Sequence, residues 1–126
     1  SYMSAIQESV ERLLEKMEDK ELQCILLTDM GSKFLLHSED LEIADIFFKK
    51  ALEIDPENKD VIALRNKSYK ALAVRYIDKG LTQQLIPVLQ KMLQLPLSED
   101  ERFGVLYILG AAYKSMGDYD AVVDKI

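Results

Sequence analysis

The chain has 126 residues, 48% of them hydrophobic, which is enough for one domain with its own core and too little for two. Its formal charge of -6, from 22 acidic and 16 basic residues, argues against nucleic acid as a partner, because no broad positive field is available to steer it. Apolar runs such as Cys24-Ile25-Leu26-Leu27 fall far short of the roughly 18 to 20 residues of a bilayer span, and the N-terminus lacks the charged-then-apolar order of a signal peptide. The expectation is a cytoplasmic chain with no membrane contact.

In chain order, the signals are helical throughout. Ser4 with Gln7 forms a capping box ahead of the stripe Ile6, Val10, Leu13, Leu14 and Met17, which predicts a leading helix over about 5–18. Leu22, Ile25, Leu26, Leu27, Met30, Phe34 and Leu35 keep a period near 3.6, and His37-Ser38-Glu39-Asp40 punctuates the pattern, so a second helix covers about 21–37. A third occupies about 40–54. Asp55 then reads as an N-cap and Pro56 as the first position of a fourth helix, which runs to about Lys79 and stops at Gly80. A fifth spans about 82–95, with Pro87 expected to delay its start or kink it. Ser98 and Glu101 form a second capping box for a sixth helix reaching about Met116. The turn at Gly117 leads into a seventh, which ends without a stop signal, as expected of a piece of a longer protein. No segment alternates apolar and polar residues over strand length. The fold class is all-α, with about seven helices.

A repeat emerges when the helices are aligned by side-chain size. Leu27, Met30, Gly31 and Phe34 give large, apolar, small and aromatic at offsets that recur in Tyr69, Leu72, Ala73 and Tyr76, and again in Leu106, Leu109, Gly110 and Tyr113. Four residues after each aromatic stand Ser38, Gly80 and Gly117, where a helix must end. The partner helices carry Ala44, Phe48 and Ala51, then Leu85, Leu89 and Met92, then Val122 and Ile126. A small residue at Gly31, Ala73 and Gly110 lets two helices approach closely, and a larger one would hold the hairpin open.

The segments "LYILGAAYKSMGDYDAVV" (106–123) and "ADIFFKKALEIDPEN" (44–58) resemble the two halves of a tetratricopeptide repeat. The resemblance covers about residues 21–126 and implies an α-α superhelix of antiparallel helix pairs. Within one domain, 1–126, it divides the chain into the leading helix (5–18), repeat one (21–56), an elongated repeat two (57–96) and an incomplete repeat three (98–126). Leu27, Tyr69 and Leu106 are 42 and 37 residues apart, longer than the roughly 34 of the family. The middle copy has Leu85 and Met92 where the family expects alanine.

The resemblance also implies a concave groove lined by a second stripe of each first helix. At 100° per residue that stripe collects Ile25, Thr28, Ser32 and Leu35, then Lys67, Lys70, Val74 and Ile77, then Gly104, Tyr107, Ala111 and Lys114. Thr28, Ser32, Lys67, Lys70, Val74, Tyr107, Ala111 and Lys114 are the candidate partner-binding residues, and the three lysines suit a protein or peptide with acidic groups. A solvated helix face accounts for the same lysines without a ligand. The family's carboxylate clamp for chaperone tails is disfavoured, since Ser32, Val74, Gly104 and Ile108 stand where it needs asparagine, lysine and arginine.

No catalytic pattern competes with this reading. His37, the one histidine, sits at a helix end, where an imidazole meets the dipole, and Cys24 lies among apolar neighbours as a structural thiol does. Carboxylates in 38–42 and 98–101 fall at helix starts, where they stabilise N-termini. No phosphate loop or metal-ligand spacing is present, so no cofactor, metal or catalysis is expected. The functional expectation is a protein-binding scaffold, with two rivals: a self-association module forming a homo-oligomer by edge stacking, and a peptide-sensing regulatory domain.

Overall fold

The computed structural model of the chain describes residues 1–117. Six helices follow one another: α1 (Tyr2–Glu15), α2 (Lys20–His37), α3 (Leu41–Ile54), α4 (Lys59–Lys79), α5 (Thr82–Met92) and α6 (Glu99–Ser115). The described residues contain no strand; α2 packs against α3, and α5 against α6, as helical hairpins. The seventh helix of the sequence reading, with Val122 and Ile126, lies outside the described residues. Two compact units divide the chain inside α4: Ser1–Ser68 and Tyr69–Ile126.

In the first unit, polar side chains decide where each helix starts. Ser1, not Ser4, caps α1: its hydroxyl accepts the Ser4 amide at 3.2 Å, so Ser4 lies inside the helix and the expected box with Gln7 does not form. Asp19 caps α2 through the amides of Glu21 and Leu22, and Asp40 caps α3 through that of Ile43. Asp55 closes α3 and does not open α4. Pro56 falls in a turn in which the Asn58 amide donates to the Asp55 carbonyl, and the Asn58 side chain then accepts the amides of Asp60 and Val61. Proline suits the second position of such a turn, and asparagine supplies the capping oxygen that proline cannot, so α4 begins at Lys59.

The α2–α3 hairpin forms the core of this unit. Cys24, Leu27, Ile43, Phe47, Ala51 and Val61 are buried together, and the Phe34 and Phe47 rings stack with centroids 5.2 Å apart. Gly31 is small because Phe48 lies against it: a Cβ there would stand 2.9 Å from the Phe48 ring. The turn between the two helices places Glu39 at φ +52°, and the Asp40 amide reaches back to the Phe34 carbonyl. The left-handed position therefore falls one residue later than Ser38. Cys24 donates to the Ala51 carbonyl, and burial pushes its thiol above the ordinary range, as befits an inert core group.

In the second unit, α4 ends at Gly80 (φ +68°), and the Leu81 amide donates to the Tyr76 carbonyl at 2.9 Å, closing the helix with a glycine cap. Pro87 does not delay α5, which starts at Thr82 and ends at Met92, short of the expected 95. The Ser98–Glu101 capping box is present in both directions and launches α6. Arg102 donates to the carbonyls of Leu93 and Leu95, and Gln90 donates to the Tyr113 hydroxyl, which ties α6 to α5.

Candidate functional site

The candidate residues of the first unit divide by burial. Thr28 is 3% exposed and donates its hydroxyl to the Cys24 carbonyl at 2.6 Å, so it does not line an accessible surface. Leu35, on the same expected stripe, is wholly buried. The reason is that α2 has neighbours on more than one side. α3 covers one flank, while on another Ser32, itself half-buried, shares a 2.8 Å hydroxyl contact with buried Ser68 of α4. The buried arc of α2 is therefore wider than a single face. Ile25 and Lys67 remain exposed.

In the second unit, Lys70, Val74, Tyr107, Ala111 and Lys114 are all exposed. α4 and α6 run in the same direction here: Lys70 pairs with Glu101 near the start of α6, and Ile77 shares a cleft with Tyr107 and Ala111 further along. That cleft, of about 370 Å³, has Tyr76, Ile77, Leu85, Tyr107, Ile108 and Ala111 in its walls. Tyr107 is 72% exposed and Phe103, four residues earlier on the same face of α6, is 71% exposed. Phe103 was missed by the periodic stripe, although its spacing to Tyr107 carries the signal. Val74 and Ile77 of α4 are exposed as well, and Ile77 meets Tyr107 in the cleft.

Lys70 is not a free cation. It engages Glu101, whose carboxyl is lowered to about 2, first by Lys70 and then by the Ser98 backbone and hydroxyl. A depressed carboxyl contributes stability above its unfolded value and loses it as the pH falls through the folded one. The second unit is therefore expected to weaken between about pH 4.5 and about pH 2. Glu101→Gln keeps a capping side chain but removes the charge, so its acid unfolding curve should be flatter over that window. Circular dichroism across a pH series checks this, and identical slopes for the two chains would count against it.

His37 is exposed at the end of α2, and the described residues hold no group of three histidines, cysteines or carboxylates placed to bind a metal. No helix among them is long and apolar enough to cross a membrane.

Residues 32–58, from the second half of α2 through α3 to Asn58, match the family model described as tetratricopeptide repeat. No curated protein and no solved structure matches the chain.

Proposed function

Since the chain carries a tetratricopeptide repeat, a module that generally mediates protein–protein interaction and is typically a non-catalytic scaffold, we propose that it binds a partner protein or peptide through the α4–α6 face. The observation that carries this reading is the set of exposed apolar side chains on α4 and α6, Val74, Ile77, Phe103 and Tyr107, of which Ile77 and Tyr107 line the 370 Å³ cleft. Large exposed aromatics grouped on one surface leave apolar area in water that a partner would cover, and such residues commonly dominate binding energy. Lys114, exposed on α6, favours a partner that sets an acidic group beside an apolar side chain. Lys70 contributes less, because Glu101 already offsets its charge.

The test is affinity capture from a native lysate with the unaltered chain, Tyr107→Ala and Lys114→Glu, each first shown to be folded. Tyr107→Ala should weaken capture of a specific protein by about tenfold or more, the scale of a hot-spot residue. Lys114→Glu should weaken it less and make it less sensitive to salt. Capture unchanged by both substitutions would remove this face from consideration.

A further inference from the structure

The first helix sits on the first unit in a way that sets it apart from α2 and α3. Of the 14 residues of α1 only Val10 is buried, whereas α2 and α3 each bury five or more. Open space flanks it on both sides. A cleft of about 520 Å³ separates it from α3, between Met3, Gln7 and Glu11 on one wall and Glu42, Ile46 and Lys50 on the other. A second, of about 370 Å³, runs between Tyr2, Ile6 and Leu13 and the side chains of Met30, Phe34 and Phe47.

What holds α1 is specific but sparse. Val10 enters the core beside Phe47, and Met3, Ile6 and Leu14 rest against it. Glu11 pairs with Lys50 of α3, which also meets Glu53. The Gln23 amide of α2 donates to the carbonyls of Leu14 (3.0 Å) and Met17 (2.8 Å), closing the end of α1 from outside. Only Lys16–Asp19 connect α1 to α2. An element with few buried contacts opens at a lower cost than the hairpin beneath it. When it opens, it leaves an apolar seat at Met30, Phe34 and Phe47, with Lys50 at its edge among Asp45, Lys49 and Glu53, and any copy of the same helix fits it.

We propose that α1 is an exchangeable cap: it lifts from α2–α3 as a unit, and the seat it leaves accepts α1 of a second copy of the chain. Contacts in the exchanged dimer are the same as those within one chain, so the balance depends on the cost of opening and on the connection at Lys16–Asp19. Charge selects the occupant. Lys50, which keeps Glu53 at 3.7 Å on its own helix, favours a second carboxylate at the position of Glu11, and the Gln23 amide favours a helix end with free carbonyls.

Two measurements test this on the full chain. In native-state hydrogen exchange, the amides of α1 should be protected at least about 100-fold less than those of α2 and α3, as expected of a locally opening element. Equal protection, with α1 exchanging only on global unfolding, would overturn the proposal. In the second, deleting Met17 and Glu18 shortens the connection so that α1 cannot take its own seat, and light scattering should show a doubled mass. Adding Lys50→Glu should return that variant to monomer, and adding Glu11→Lys as well should restore the dimer. A shortened chain that folds but stays monomeric, or a dimer indifferent to both charge reversals, refutes exchange. If the shortened chain fails to fold, the exchange measurement on the unaltered chain still decides whether α1 opens alone.

Discussion

Gly31→Leu is expected to destabilise the first unit by about 3 kcal/mol or more, at or beyond the upper end of overpacking costs. A Cβ alone would come within 2.9 to 3.1 Å of three atoms of the Phe48 ring, and that ring is wholly buried, with no solvent side towards which to yield. Leucine adds three further carbons to the same space, so α2 and α3 must part. Gly31→Ala is a milder case: its overpacking is offset by about 1 kcal/mol of helix propensity, leaving a smaller net loss. Urea unfolding should show the midpoint for Gly31→Leu lowered by roughly 1 to 2 M with little change in slope. The cause is isolated by combining Gly31→Ala with Phe48→Leu, where the two effects should add to less than their sum. Strict additivity would mean that the glycine is required for some other reason.

Phe47→Ala is expected to cost about 3 to 5 kcal/mol, the range for removing a buried aromatic side chain. Phe47 is 1% exposed, stacks on Phe34, and packs in the same cluster as Val10, Cys24 and Ala51. Phe34→Ala removes the other ring of the pair, but Phe34 is only half-buried, so its loss should be distinctly smaller. The comparison separates ring stacking from burial. Equal losses at the two positions, measured by thermal or denaturant unfolding, would show that the stack itself dominates.

The helices and their pairing were legible because they rest on local, short-range chemistry. The spacing of Leu27, Met30, Gly31 and Phe34 reports which side of α2 meets α3, and the Gly31–Phe48 approach realises the close packing that spacing implies. The Ser98–Glu101 box and the stop at Gly80 were readable for the same reason. Errors arose where two local solutions compete. Ser1 and Ser4 can each cap a helix, and Asp55 and Asn58 can each begin one; in the second case the turn around Pro56 decides for Asn58. Thr28 and Leu35 were misplaced for a different reason. Helix phase predicts a stripe but not how many neighbours a helix has, and the contact of Ser32 with Ser68 is set by residues 36 positions apart. Likewise nothing near Lys70 in the sequence announces that Glu101 occupies it.

Glu101 satisfies two demands with one carboxylate: it closes the box that starts α6, and it meets Lys70 on α4. Each demand alone would tolerate several residues, since glutamine can complete a capping box and aspartate carries the same charge. Their intersection is much narrower. Glutamine lacks the charge for Lys70, and aspartate is one methylene short of the reach that glutamate uses for both. Glutamate is thus the residue whose one side chain answers both the helix start and the cation on α4.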